Sequence, residues 1–266
     1  MKKIICFCFS TLTSTLTLTL TSTLILTSTL TLTSTSTFAQ QKQSPSTQGE
    51  YVNGMAEGLW HYYYPDGSLH KVGYYSKSLA EGEWIEYHEN GQMKSKGSYV
   101  KNQTEGVWKF WYDNGQLQNI VTFQKAKWQG ESVSYDKNGH LFSVELYDKG
   151  KKYGKATYYY PNNQISSQGS WKADSAVGEW NYFYDTGILK DQGNFKNNKW
   201  DGKWTAYFEN GKKKSEGEYK NNLMEGYWKF WYESGNLQEI AHYYRGLLHG
   251  TSISYTEDGQ ETRVVY

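Results

Sequence analysis

Glu105-Gly106-Val107-Trp108-Lys109-Phe110-Trp111-Tyr112-Asp113-Asn114-Gly115-Gln116-Leu117 decides the fold of this chain. The segment from Trp108 to Tyr112 is rich in aromatic residues that favour a pleated strand. Asn114-Gly115 supplies the positive φ that a tight hairpin turn demands, and Leu117 opens a return strand. The stretch reads as one β-hairpin.

The same hairpin recurs without insertion. Gly stands at 58, 82, 106, 130, 154, 178, 202, 226 and 250, always 24 residues apart. Five residues after each Gly comes a ring: Tyr63, Tyr87, Trp111, Tyr135, Tyr159, Phe183, Tyr207, Trp231 and Tyr255. Seventeen residues after it comes another, from Tyr75 and Tyr99 through Phe123, Tyr147, Trp171, Phe195 and Tyr219 to Tyr243. Trp occupies the second position after the Gly in six units, at 60, 84, 108, 180, 204 and 228. A fixed period of this length is the signature of a repeat architecture. The expectation is an all-β, elongated, single-layer array of about nine stacked antiparallel hairpins, open-ended and spanning residues 49–266. Rings at the second and fifth positions point to opposite faces of a regular strand. Either both faces are covered or a bulge re-aims one.

A longer period overlies the first. Glu105–Ile120 matches Glu225–Ile240 at 11 of 16 positions, a shift of 120 residues or five units. A five-unit block reads as duplicated, either as ancestry alone or as the source of two equivalent surfaces, which a 2:1 ligand stoichiometry would reveal.

Composition agrees with a thin repetitive sheet. Aromatics make up 17% of the 266 residues and mean hydropathy is −0.80. Such a chain cannot close a thick aliphatic core, yet it carries too many rings for disorder. Lys2-Lys3, the apolar Ile4–Phe9 and the Leu/Thr/Ser tract after it resemble a secretory leader ending at Thr37-Phe38-Ala39. Cleavage there would export the protein to the periplasm or the cell exterior; an uncleaved amphiphilic anchor is the alternative. Residues 40–48 read as a polar linker. Both cysteines, Cys6 and Cys8, lie in the leader, so the mature chain holds no thiol. Without Lys2 and Lys3, 26 basic residues face 27 acidic ones, which gives no reason to expect nucleic acid. Strands this short and polar do not suit an outer-membrane barrel, so no integral span is expected once the leader is removed.

The pattern Glu81-Gly82-Glu83-Trp84 through Gly97-Ser98-Tyr99 resembles the MORN repeat, in its bacterial variant form. The resemblance covers residues 49–266 and implies an elongated, twisted array of hairpins. It also implies a module for interaction with proteins or membranes. Bacterial relatives are often labelled YwqK-family antitoxins, a role that fits an exported protein poorly.

Catalysis is not expected. The six histidines fall at six different places in the unit, and convergence of ligands is what a metal site or triad needs. No phosphate loop or nucleophile motif is present. The acidic residues before the Gly (Glu57, Glu81, Glu105, Asp201 and Glu225) recur once per unit and read as loop structure rather than as a glycosidase pair. No metal or cofactor is expected. Rings repeated in every unit read as packing between hairpins. The rings outside the strict pattern are the binding candidates: Trp128 and Trp200, read as lying in loops, and Phe110, Phe230, Tyr158 and Tyr182, with Tyr62, at a variable slot. The expected partner is a protein, or in a second reading a surface glycan held by exposed rings.

Overall fold

A computed structural model describes residues 46–265, with side chains to 263. The leader lies outside the described residues. From Thr47 onward each strand pairs antiparallel with the next along the chain, giving one sheet of 20 strands that does not close into a barrel. Its outermost strands are Thr47–Val52 and Glu261–Val265. The break at His249-Gly250 divides one strand into Leu247–Leu248 and Thr251–Tyr255. The sheet starts inside the stretch expected to be linker. Thr47 and Gln48 pair with Tyr62 and His61, and the Gln48 amide accepts a hydrogen bond from the Tyr63 hydroxyl.

Each unit has two different turns, and the tightest is not at Asn-Gly. Pro65-Asp66-Gly67 forms a three-residue loop: Gly67 N–H donates to the Tyr64 carbonyl, and only Gly67 is left-handed (φ 88°). This is a β-turn closed by one residue at positive φ, the form three-residue hairpin loops favour, and Pro65 suits its first corner. The two-residue turns lie at the other end of the hairpin, in the segments that read as polar loops. Lys77-Ser78, Lys101-Asn102, Lys125-Ala126 and Asn221-Asn222 hold both residues at φ between 49° and 71°. Twin positive φ values are what the hairpin-favouring primed turn requires. A non-glycine residue there costs about 1 kcal/mol. Side chains from the previous hairpin offset that cost. The Glu57 carboxylate accepts from Lys77 N–H, Glu81 from Lys101, Glu105 from Lys125, Asp201 from Asn221 and Glu225 from Arg245. The acid that precedes the Gly in these five units is therefore a turn clamp.

The recurrent Gly sits in a bulge. Glu81 pairs with Tyr74 and Trp84 with Gly73, leaving Gly82 (φ 65°) and Glu83 without partners on that side. From Trp84 to Tyr87 the strand itself gains no residue, the next register shift being taken up by Lys94 on the partner strand, so Trp84 and Glu86 share one face while Ile85 and Tyr87 share the other. Both faces carry rings. The second-position tryptophans join the seventeenth-position rings in a zigzag on the front face. Tyr51–Trp60–Tyr75–Trp84–Tyr99–Trp108 meet edge-to-face with centroids 4.9 to 5.9 Å apart. The core is this ladder, with Trp60, Trp84, Trp108, Trp180, Trp204 and Trp228 all buried. Such pairs contribute about 0.5–1.5 kcal/mol each beyond the area they bury.

A second ladder ties neighbouring units along the loop end. The Tyr64 hydroxyl donates to the Tyr87 carbonyl (2.7 Å), Tyr112 to Tyr135, Tyr160 to Phe183, Tyr184 to Tyr207 and Tyr232 to Tyr255.

Candidate functional site

The front face is built from one steric rule. Each core tryptophan lies flat across a glycine of the preceding strand. A Cβ added to Gly49, Gly73, Gly97, Gly169, Gly193 or Gly217 would fall 1.8 to 2.3 Å from the indole of Trp60, Trp84, Trp108, Trp180, Trp204 or Trp228. Where the glycine is replaced, so is the tryptophan. Val121 pairs with Ser132, Glu145 pairs with Ala156, and Ala241 with Ser252 replaces the last Gly–Trp pair.

The candidate rings all lie on this face and all are half-buried. Trp128 and Trp200 are not in loops: each is the second residue of a strand, Lys127–Tyr135 and Lys199–Tyr207. The slot faces the core, and in other units it holds the buried Ala56, Ala80 and Ala176. Trp128 fills the space that Ser132 leaves, with Phe123 at 6.3 Å and Tyr147 at 4.8 Å, and so carries the ladder through a unit without the usual tryptophan. Trp200 has no such vacancy, because Trp204 is present. It packs against Trp204 at 4.6 Å and Tyr219 at 4.8 Å. Phe110 and Phe230 stack on Trp108 and Trp228 at equivalent places 120 residues apart. Tyr158 and Tyr182 converge on Trp180, each at 6.3 Å. Tyr62 sits between Trp60 and Trp84 and donates to the Tyr75 hydroxyl.

Two polar features escaped the sequence reading. The first replaces the Gly–Trp contact in the middle of the array. The Glu145 side chain, 9% exposed, takes the Lys152 ammonium at 2.5 Å and the hydroxyls of Tyr158 and Tyr147 (3.3 Å to the latter). Lys152 also lies over the Trp171 ring at 5.0 Å, bridging the ladder where Ala156 interrupts it. Burial, reinforced by the Glu145 carboxylate, pushes both phenols well above the usual tyrosine range. The signal in the sequence was a Glu at the recurrent glycine position.

The second feature is a groove of about 450 Å³ floored by Trp200, Trp204 and Tyr219 and walled by Tyr182, Asp191 and Lys214. The fourth-position ring is missing there, replaced by Ala206 between Tyr182 and Phe230 of the flanking units. Asp191 is half-buried, and that burial raises its pKa. The nearby lysines stand over rings instead, Lys190 over Tyr184 and Lys214 over Phe208. Among the described residues no group of His, Cys, Asp and Glu could hold a metal ion.

The architecture defines a β-hairpin repeat protein with an aromatic groove cut into its ring face. The repeat itself is the MORN repeat variant, which matches residues 80–101, 104–125, 152–173, 176–197, 200–221 and 224–243, and the chain belongs to that family. Repeats of this kind form scaffolds that generally serve protein or membrane interaction. No curated protein matches the chain. Similar solved structures include a GtfA/B complex bound to UDP and GlcNAc (10% identity, 46% of this chain and 22% of that one, TM-score 0.16). A TcdB2-TccC3-Cdc42 complex is 11% identical over 82% of this chain and 15% of that one, with TM-score 0.20. A Photorhabdus luminescens Tc holotoxin pore is 14% identical over 83% and 14%, with TM-score 0.21. The chain spans under a quarter of each of these much longer chains. No helix among the described residues is long and apolar enough to cross a membrane.

Proposed function

We propose that this protein is an exported, non-enzymatic scaffold that docks a protein partner on the face opposite the tryptophan ladder. One observation carries this reading: that face holds large apolar side chains that nothing covers. Leu59 and Tyr74 pair across two strands while 42% and 51% exposed, and Val107 and Tyr227 are 56% and 71% exposed. Val107 and Tyr227 occupy equivalent positions in the two five-unit blocks, and Tyr227 packs edge-on against His242. Exposed apolar side chains in a polar surround mark interaction surfaces, and aromatic anchors dominate binding energy in such surfaces. The recurrent acids are engaged in turn hydrogen bonds, which supports a structural reading of them.

Photo-crosslinking from positions 107 and 227 of the full chain, in its native cell envelope, tests the docking face. A partner should be captured from both positions and lost in Val107→Glu and Tyr227→Glu. Capture undiminished in those variants would sink the reading. Export is tested separately by fractionation and N-terminal sequencing: the mature chain should begin at Gln40 and leave the cytoplasm.

A further inference from the structure

The groove over Trp200 and Trp204, of about 450 Å³, opens the ring face beside a half-buried acid. Two substitutions create it together. Ala206 removes the ring that Tyr182 and Phe230 supply on either side, and Trp200 adds an indole where Ala80 and Ala176 stand in other units. Trp204 has also turned. It meets Gly193 through Cε3 and Cζ3, whereas the other five core tryptophans meet their glycines through Cδ2, Cε2 and Cγ. Asp191 lines the same groove beside the indoles and is half-buried there.

We infer that this groove is a carbohydrate site that takes one pyranose unit against Trp200, with Asp191 accepting its hydroxyl hydrogen bonds. The chemistry matches on three counts. An indole offers a flat apolar platform for the C–H face of a sugar ring. Asp191 is a half-buried acceptor on the groove wall, while Lys190, Lys214 and Ser215 supply donors around the rim. A cationic ligand suits the rings but meets two lysines; a purely apolar one leaves the half-buried acid without a new partner. The inference deepens the glycan reading of the sequence and is independent of protein docking, which uses the opposite face.

The five-unit duplication sharpens it. In the first block the equivalents of Asp191, Trp200 and Ala206 are Lys71, Ala80 and Glu86. Lys71 lies over the Trp84 ring at 4.6 Å, on the very platform a sugar would need. The site therefore exists once, and the stoichiometry is one per chain rather than two.

Calorimetric titration of the full chain with chitohexaose, cellohexaose and an oligouronate, with tetramethylammonium as the cationic comparison, tests the assignment. At least one oligosaccharide should bind at one site per chain. Ala206→Phe, which restores the ring the neighbouring units carry, should weaken that binding at least about ten-fold without lowering the thermal midpoint. Trp200→Ala, which restores the residue of the Gly82 and Gly178 units, should do the same, so misfolding of one variant leaves the other decisive. Asp191→Asn should weaken it less, because the amide still accepts. The assignment is overturned if no oligosaccharide binds up to millimolar concentration, or if only the cation does. It is equally overturned by two sites per chain, or by affinity that survives both ring variants.

Discussion

The Gly97–Trp108 contact and the Glu145–Ala156 contact occupy equivalent places in the array and solve the same packing problem in opposite ways. At the first, the preceding strand gives up its side chain so that an indole can lie flat on the backbone. At the second, the following strand gives up its indole, and the space is taken by a carboxylate, an ammonium and two phenols. Val121–Ser132 is a third solution, with Val121 1% exposed and Trp128 moved in from four residues upstream. The repeat thus conserves a volume across two strands, not a residue at one position. Departures are tolerated in matched pairs and leave the register unbroken.

This comparison is broken most severely by removing the indole alone. Trp108→Ala deletes the most buried large ring of its unit (5% exposed) and detaches Tyr99, Phe110 and Phe123 from it. It should cost about 3–5 kcal/mol in chemical denaturation. Ser132→Ala, at the same place in the Gly130 unit, should cost far less, because Trp128 already carries the ladder there. Equal losses would show that the volume rule is wrong. Adding a methyl should hurt somewhat less: Gly97→Ala drives a Cβ to 2.1 Å from Trp108, and overpacking of this kind costs about 1–3 kcal/mol. The double variant Gly97→Val, Trp108→Ser copies the Val121–Ser132 pair and should be less unstable than the effects of Gly97→Val and Trp108→Ser summed. Strict additivity would mean that the pairing in the sequence is coincidence.

The fold was legible because its determinants are local and periodic. The 24-residue spacing, the Asn-Gly loops and the alternation of rings all follow from backbone geometry that each unit repeats. The turn assignment was half right: Asn114-Gly115 does close a loop, but the two-residue primed turns use Lys-Asn or Lys-Ala. Propensity conceals those, since the clamping carboxylates lie 20 residues upstream. The tyrosines of the hydrogen-bond ladder, such as Tyr112 and Tyr232, were not singled out, because their acceptors are backbone carbonyls of the next unit. Trp128 and Trp200 stood out correctly as exceptions, yet their placement failed because a core-facing slot had been taken for a loop. Asp191 and Glu145 carried no motif. Only their positions facing the ladder give them meaning, and position on a face emerges once the bulges are known.

Rebuilding the centre sharpens the comparison from the other side. Glu145→Gly, Lys152→Ala and Ala156→Trp together would convert the Gly154 unit to the Gly–Trp form used by the next pair, Gly169–Trp180. Substitutions toward a repeat's own consensus commonly gain about 0.5–2 kcal/mol, and a gain in thermal midpoint is expected here. A clear loss would show that the polar cluster stabilises the array as built. A neutral or positive result would instead mean the cluster is retained for something other than stability.

The smallest effect appears only at high pH and reports on the same cluster. Tyr147 and Tyr158 are held protonated by burial and by the neighbouring Glu145 carboxylate, so their folded pKa values lie above those of the unfolded chain. The sign follows directly: the contribution to stability is fully present below the unfolded tyrosine value of about 10, and falls as pH climbs from there toward the folded values. Stability should therefore be insensitive to these groups at neutral pH and decline from about pH 10 upward. Glu145→Gln removes the charge while keeping an acceptor, which brings both phenols down toward the ordinary range without freeing them from burial. More tyrosinate absorbance at 295 nm should then develop by about pH 11 in the variant than in the parent chain, with the decline in stability correspondingly shallower. Superimposable titration curves would mean that the carboxylate does not act on the two phenols, and that the central departure from the Gly–Trp rule is a matter of packing alone.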